Sequence, residues 1–120
     1  MPSTLDPKRG DVVRVQLDPA EGSEQAGERP ALVISPDIIN EHSPVLLVAA
    51  ITSRKTDSVY SFEALIEPPD GGLPLRSKVS LMQLRAVDRR RIVGWYGSVS
   101  PETMGRAEHA LRVATGLVRL

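Results

Sequence analysis

Cysteine is absent from this chain of 120 residues, and aromatic residues are scarce. Without cysteine there are no disulfides, thiolate metal sites or cysteine nucleophiles, and nothing opposes an intracellular location. The aromatic residues are Tyr60, Phe62, Trp95 and Tyr96. So few rings argue against a stacking platform of the kind with which many RNA-binding sheets hold bases.

Long apolar runs are also missing from the sequence. No stretch approaches the roughly 20 residues that cross a bilayer, and residues 1–9 lack the apolar core of a secretion signal. We therefore expect a cytoplasmic protein that does not enter a membrane. A chain of 120 residues corresponds to about one domain, so we expect a single domain over residues 1–120.

The net charge of zero conceals an uneven distribution. Residues 1–75 hold 6 Lys and Arg against 12 Asp and Glu, whereas residues 76–120 hold 9 against 3. A basic face in the second part, including Arg85 and the run 89–91, suits a phosphate backbone. A solvated turn is the more common meaning of such a run.

The hydrophobic pattern predicts a mainly β fold. Val13, Val15 and Leu17 alternate with polar residues, which indicates a half-buried strand, and two nearly continuous apolar runs indicate strands buried on both faces. Many short strands at this spacing suggest a small barrel. We predict strands at 12–17, 31–35, 45–51, 60–67, 77–79, 84–87 and 91–96, with one short helical turn at 36–41.

A C-terminal helix is the clearest prediction of secondary structure. Ser100 is a suitable N-cap, and Pro101 and Glu102 suit the first turn. His109 falls opposite the apolar stripe, so we expect it to face solvent. The stripe comprises Met104, Ala107, Leu111, Ala114 and Val118.

A polar loop between Gly22 and Gly27 leads to one arginine in front of the apolar strand at 31–35. Proline forces the preceding residue into extended conformation, so Pro30 sets the backbone of Arg29. A guanidinium held in this way suits the recognition of phosphate or carboxylate. By itself, an arginine in such a loop is more often an inert surface charge.

Thr52 is the first polar residue after the apolar run 45–51. The end of a buried strand holds a side chain with little freedom, which suits a residue of a functional site. Taken alone, a threonine there is more often structural because threonine favours strands.

Histidine and metal chemistry have no support in the sequence. The only histidines, His42 and His109, show no sign of sharing a cleft, and no His/Asp cluster has the spacing of metal ligands. We therefore predict neither a metal nor another cofactor, and the remaining chemistry belongs to arginine, hydroxyl and loop backbone.

Four blocks in this order and spacing resemble the MazF/PemK family of toxin endoribonucleases. The resemblance spans residues 8–117, about nine-tenths of the chain, and four ordered blocks make it specific. The blocks are KRGDVV at 8–13, GSEQ at 22–25 with RPALVIS at 29–35, AAITS at 49–53, and QLRAVDRRRI at 83–92.

The resemblance implies a compact, SH3-like barrel with a C-terminal α-helix and a homodimer. It also implies metal-independent cleavage of single-stranded RNA at a short recognition sequence, and neutralisation by a MazE-like antitoxin. In that family the arginine of the R-P-x-L-V-I segment and the threonine of the A-A-I-T segment are catalytic. Those roles fall on Arg29 and Thr52 here.

The same resemblance assigns further residues to the RNA-binding surface. Ser23, Glu24 and Gln25 match the loop that shapes the site, and Arg9 and Gln83 match positions near the bound RNA. The chain departs from the family at Met82, where relatives often have an acidic residue, and in its short loop at 54–59. Both departures concern base specificity.

Two functions of other classes fit parts of the sequence. A non-enzymatic toxin similar to CcdB binds gyrase through a C-terminal tryptophan segment, but this chain ends GLVRL and its lone Trp95 lies in a predicted strand. A barrel that binds RNA without cleaving it is the second alternative, since the uneven charge alone suffices for binding.

Overall fold

The computed structural model describes residues 5–16 and 27–118. Within these ranges the chain forms six strands, two α-helices and two 3₁₀ turns. The strands are β1 (Asp11–Gln16), β2 (Glu28–Val33), β3 (Val45–Thr52), β4 (Glu63–Ile66), β5 (Ser77–Asp88) and β6 (Ile92–Ser98). The helices are α1 (Asp37–His42) and α2 (Pro101–Ala114), and the 3₁₀ turns are Asp70–Gly72 and Arg89–Arg91.

All the described strands join one antiparallel sheet in the order β4-β5-β3-β2-β1-β6. The C-terminal helix α2 packs against β4 and β5. The expected mainly β fold with a C-terminal α-helix is therefore confirmed, and β2 and β3 lie in the middle of the sheet.

Both faces of the sheet carry apolar side chains. One face packs against α2, where it meets Ala107, and includes Val12, Leu32, Ala49, Ile51, Ile66 and Val79. The opposite face includes Val13, Val15, Ala31, Val33, Leu46, Val48, Val87 and Ile92. Residues 31–35 are buried throughout, as predicted, but Val45 and Leu47 are 40% and 39% exposed, so the first half of β3 has one open face.

One strand replaces the two predicted at 77–79 and 84–87, and that prediction was wrong. Ile51 pairs with Val79 and Ala49 pairs with Leu84, so β5 carries residues 80–83 opposite the single residue Ala50. Such a β-bulge interrupts the ladder without ending the strand, and it turns its side chains away from the regular alternation.

The boundaries of other strands also differ from the predictions. β2 begins at Glu28, three residues early, and thus contains both Arg29 and Pro30. β4 is confined to Glu63–Ile66, and Arg91 belongs to the 3₁₀ turn that precedes β6. Position 17 lies outside the described residues. The short helix at 36–41 is confirmed as α1.

Helix α2 begins as predicted and ends early. The Ser100 hydroxyl accepts a hydrogen bond from the Thr103 N–H at 3.1 Å, which caps the first turn, and His109 is exposed. The predicted extension to Val118 was wrong, because Gly116 has a φ of +78°. Leu117 N–H donates to Arg112 O at 2.8 Å and Gly116 N–H donates to Val113 O at 3.1 Å, which is a Schellman motif.

Gly105 gives a direct test of the helix assignment. It lies in the interior of α2, it is exposed, and a Cβ atom added there meets nothing within 4 Å. Because alanine loses less backbone entropy in a helix, Gly105→Ala should stabilise the fold by about 0.5 to 1 kcal/mol. Thermal unfolding followed by circular dichroism measures the change.

The control is the same substitution at Gly72. A Cβ atom there would lie 2.0 Å from the Tyr96 carbonyl oxygen, and the φ of Gly72 is +69°. Gly72→Ala should therefore lower Tm. A rise in Tm for both variants, or a fall for both, would contradict the described packing.

Candidate active site

Arg29 and Thr52 lie opposite each other at the end of the β2–β3 pair. The described pairing aligns Ala31 with Ala50. Two residues back along β2 and two residues forward along β3, the same register places Arg29 across from Thr52. Side chains that face each other in an antiparallel pair lie on one face of the sheet, so the two side chains are neighbours.

The pair lines a groove of about 700 Å³ on the face of the sheet opposite α2. Val15, Ala31 and Val48 form its apolar floor, and they belong to the apolar cluster of that face. The polar residues of the groove are Arg29, Thr52, Glu63, Ser80, Gln83 and Arg85. A cleft with an apolar floor and a few convergent polar groups is the usual form of a binding site.

A second, smaller depression of about 250 Å³ also includes Arg29 and Thr52. We call it the side pocket. Its remaining lining is largely apolar, with Leu73, Pro74, Leu75 and Tyr96, and it also holds Ser53, Arg54 and Ser77. Arg29 and Thr52 thus stand where the groove meets the side pocket, in reach of a chain that occupies both.

The Thr52 hydroxyl is oriented by a hydrogen bond from the backbone two residues later. Its Oγ1 accepts a hydrogen bond from the Arg54 N–H at 3.1 Å, and the residue is partly buried at the end of β3. A hydroxyl has one proton and two lone pairs, so this acceptance leaves the proton available for a group in the groove. Thr52 is accordingly a donor held by a strand end.

The acidic residue next to Arg29 in the sequence, Glu28, forms an ion pair with a different arginine. Glu28 precedes Arg29 on β2, and its carboxylate pairs with the Arg14 guanidinium at 2.7 Å. Gly94 on β6 makes room for Arg14, since a Cβ atom at Gly94 would lie 2.6 Å from that guanidinium. Arg14 offsets the charge of Glu28 beside the groove.

The bulge of β5 brings Gln83 into the lining of the groove, and its RNA-binding role stays a prediction. Arg85 also lines the groove and pairs with Val48 of β3. The sequence placed Arg85 on a basic face but not in the site. The available signal was the alternation along residues 84–87, which puts Arg85 on the same face as Val87, the face that carries the groove.

The run at 89–91 has structural partners. Arg89 donates to the carbonyls of Asn40 and Ser43, which ties the turn to α1. The Asp88 carboxylate accepts hydrogen bonds from the Arg90 side chain and backbone, which lower the pKa of Asp88 to about 2. These contacts favour the solvated turn over a basic face for phosphate.

Glu63 and Lys78 form a buried ion pair in the wall of the groove, and sequence reasoning missed both. Lys78 Nζ lies 3.0 Å from Glu63 Oε1, and the two side chains are 6% and 9% exposed. A lysine inside the predicted strand at 77–79 was the only signal. Its partner lies on β4, so the sequence pattern alone does not identify it.

Arg9 lies outside the residues that line the groove. Its guanidinium donates to the Ile34 carbonyl and to Glu108 Oε2 of α2, the latter at 2.7 Å, and its N–H donates to Asp37 at 2.7 Å. The hydrogen bond from the Arg9 N–H, together with a second one from the Asn40 side chain, lowers the pKa of Asp37. The RNA-binding role of Arg9 stays a prediction, and its contacts show an anchoring role.

Three predicted site residues, Ser23, Glu24 and Gln25, lie outside the described residues. Within 5–16 and 27–118, no group of three His, Asp or Glu side chains is arranged to hold a metal ion. The helices in these ranges are all too short or too polar to cross a membrane.

The anchoring role of Arg9 is testable by substitution. Arg9→Met deprives the Ile34 carbonyl and Glu108 of their donor, so it should lower the free energy of unfolding by about 1 to 3 kcal/mol. Urea denaturation measures this loss. Glu108→Gln keeps the guanidinium and is the matched control. An unchanged free energy of unfolding in Arg9→Met would contradict the anchoring role. If Arg9→Met weakens the binding of labelled single-stranded RNA more than Glu108→Gln does, Arg9 also contacts RNA.

Comparison with known proteins shows the family of this chain. The family described as "PemK-like, MazF-like toxin of type II toxin-antitoxin system" matches residues 8–115. Endoribonuclease EndoA of Bacillus subtilis is 36% identical over 111 residues, which cover 92% of this chain and 96% of EndoA. A MazE–MazF crystal structure from Deinococcus radiodurans has a TM-score of 0.77 at 27% identity, covering 95% of this chain and 99% of that one. A mycobacterial endoribonuclease in complex with its cognate antitoxin shares the fold, with a TM-score of 0.77, 24% identity, and coverage of 95% and 99%.

The resemblance of the four sequence blocks is thereby confirmed, and the chain belongs to the PemK-like, MazF-like toxin family of type II toxin–antitoxin systems.

Proposed function

We propose that this protein is a toxin that cleaves single-stranded RNA, with messenger RNA as its expected target, without a metal ion. The observation that carries the proposal is the placement of Arg29 and Thr52, two hydrogen-bond donors, side by side where the groove meets the side pocket. The similarity to a relative named an endoribonuclease supports the same activity. A single domain and a cytoplasmic location go with this proposal.

The substrate supplies its own nucleophile in this reaction. The 2′-hydroxyl of RNA lies beside the phosphate. It loses its proton as its oxygen attacks phosphorus, the bond to the 5′-oxygen breaks, and the leaving 5′-oxygen takes up a proton. The products are a 2′,3′-cyclic phosphate and a free 5′-hydroxyl. The protein is then required to stabilise a pentacoordinate phosphorus with extra negative charge, which is a task for fixed donors.

Arg29 is suited to that charge. Its guanidinium carries five N–H donors in a rigid fork that matches two phosphate oxygens at once. Because an arginine stays protonated in proteins, Arg29 acts by electrostatic stabilisation and not as a base. The extended backbone of β2 and the following Pro30 fix the origin of the side chain.

Thr52 adds a second donor from the neighbouring strand. The Thr52 oxygen already accepts a hydrogen bond from the Arg54 N–H, and its hydroxyl proton is available for another acceptor. A phosphate oxygen between Arg29 and Thr52 would receive hydrogen bonds from both strands. This convergence is the electrostatic preorganisation that favours the transition state over the substrate.

A cognate antitoxin and a homodimer belong to the same proposal. Arg29 and Arg85 line the groove, and such basic side chains attract an acidic, disordered segment as well as RNA. The similar structure from Deinococcus radiodurans is that of a MazE–MazF pair, which supports an antitoxin of MazE type. For the dimer, support comes from β6, which pairs with β1 at the end of the described sheet and leaves Trp95 56% exposed.

Removal of the guanidinium tests the catalytic assignment. Arg29→Ala should lower kcat/KM for RNA cleavage by about 10²- to 10³-fold, the scale for one lost oxyanion donor, and the fold should remain intact. Thr52→Val should also reduce cleavage, whereas Thr52→Ser should retain most of it because the hydroxyl is kept. Cleavage of a labelled single-stranded RNA, with circular dichroism for the fold, measures both effects.

The matched control is Arg112→Ala, which removes an arginine from the exposed last turn of α2, away from the residues of the groove. Cleavage by Arg29→Ala at the level of Arg112→Ala would refute the assignment. Wild-type protein that binds RNA tightly and leaves it intact would instead identify a non-enzymatic RNA-binding barrel.

A chelator tests the independence from metal. The proposed step takes its nucleophile from the substrate and its charge stabilisation from Arg29 and Thr52, so EDTA should leave the rate unchanged. The cut ends should be a cyclic phosphate and a 5′-hydroxyl, which primer extension and phosphatase or kinase labelling distinguish. Loss of cleavage in EDTA with recovery on addition of Mg²⁺ would indicate a metal-dependent nuclease of a different class.

A further inference from the structure

The buried pair of Lys78 and Glu63 does more than join two strands. Lys78 Nζ, besides its 3.0 Å contact with Glu63, donates to the Ser58 carbonyl at 2.7 Å. Glu63 Oε1 accepts a second hydrogen bond from the Tyr60 N–H at 2.9 Å, and the Tyr60 ring centroid lies 5.8 Å from Lys78 Nζ. Both charges thus reach the same stretch of chain.

That stretch is the connection between β3 and β4, residues 53–62, which we call segment 53–62. It has no helix or strand of its own, and Val59 and Tyr60 are 43% and 59% exposed. Its first residues follow directly after Thr52, and its last residues precede Glu63. The end of the segment meets β5 through a backbone hydrogen bond from Leu81 N–H to Phe62 O at 2.9 Å, and the Lys78–Glu63 pair is the side-chain anchor for residues before it.

The anchor stands next to the candidate catalytic threonine. Lys78 of β5 is the residue paired with Thr52 in the β3–β5 ladder, so the two side chains leave the same face of the sheet. The Thr52 hydroxyl is in turn bonded to the Arg54 N–H, the start of segment 53–62. The orientation of that hydroxyl depends on the path that the segment takes.

The energetics of burial also suggest a role beyond stability. Desolvation of a lysine and a glutamate costs about as much as their attraction returns, and a well-packed apolar pair is often as stable. A buried ion pair that is fully hydrogen-bonded nevertheless fixes one arrangement of its surroundings. Here the groups that complete the hydrogen bonding are the backbone of Ser58 and Tyr60.

We propose that Lys78 and Glu63 are positioning residues, which clamp segment 53–62 and thereby hold the Thr52 hydroxyl in its donating orientation. The catalytic part of this proposal rests on the proposed function, whereas the clamp itself does not. Lys78 and Glu63 take no part in bond making; their effect on the reaction passes through Thr52.

The decisive variant replaces both charges with apolar side chains. Lys78→Met/Glu63→Leu avoids leaving one buried charge unpaired, so the sheet should still form. Lys78→Arg keeps the charge and donors and is the conservative variant. Thr103→Val is the matched control, because Thr103 is 2% exposed and hydrogen-bonded to Asp70 at the start of α2, outside the groove.

Kinetics on single-stranded RNA give the first readout. In the double variant kcat should fall by about tenfold or more, because small displacements of a catalytic group have large effects. Lys78→Arg should recover most of kcat. Thr103→Val should lower Tm without this fall in kcat. In a Thr52→Val background the same double replacement should change kcat by less than about twofold, since coupled residues are not additive.

The second readout needs no activity. Amide hydrogen exchange by NMR should be faster at Ser58 and Tyr60 in the double variant than in the wild type, with no change in β1. Three-bond couplings to the Thr52 methyl carbon should show one χ1 rotamer in the wild type and averaging in the double variant. Lys78→Arg should resemble the wild type in both measurements.

These outcomes separate the two proposals. A wild type that does not cleave RNA refutes the proposed function, and exchange and couplings then still decide the clamp. Unchanged exchange at Ser58 and Tyr60, or an unchanged Thr52 rotamer, overturns the clamp. A fall in kcat of equal size in the wild-type and Thr52→Val backgrounds overturns the positioning of Thr52.

Discussion

The candidate site depends on the register between β2 and β3. Alignment of Ala31 with Ala50 is what sets Arg29 across from Thr52, and a shift of one residue would send the two side chains to opposite faces. Both faces of the sheet are packed with apolar side chains, so such a shift would also expose one core to water and bury polar groups in the other. The forces that hold the core therefore also hold the chemistry in place.

Local patterns predicted the parts of the structure that depend on neighbouring residues. Pro30 indicated an extended Arg29, and Ser100 indicated the start of α2, because proline and capping residues act over a few positions. The position of Thr52 at a strand end followed from the length of the apolar run before it. What the sequence did not reveal depends on long-range pairing: the bulge at 80–83 exists only relative to β3, and Lys78 finds Glu63 on another strand. Gly116 could have indicated the early end of α2, but the apolar stripe up to Val118 led to the prediction of a longer helix.

The protein has a net charge of zero, but its charges are unevenly distributed around the site. Glu28 is offset by Arg14, Asp88 by Arg90, and Glu63 by Lys78, so nearby carboxylates have cationic partners of their own. Arg29 and Arg85 add positive charge to a groove whose floor is apolar. Low polarity beneath a cation strengthens its attraction for an anion. Net charge is therefore a poor guide to polyanion binding here, and the pairing of each acidic side chain is the better one.

The two ends of the sheet are joined to their connections by different means. At Gly72 and Gly97 the 3₁₀ turn Asp70–Gly72 lies backbone to backbone against β6, with no room for even a methyl group. At segment 53–62 two buried side chains make the contact, together with a backbone hydrogen bond from Leu81 N–H to Phe62 O. The first kind of junction constrains sequence and length together, since any side chain or added residue disrupts it. The second kind constrains only the two anchoring positions. Over evolutionary time, segment 53–62 should therefore tolerate exchange of the residues between its anchors, while the turn beside β6 remains as it is.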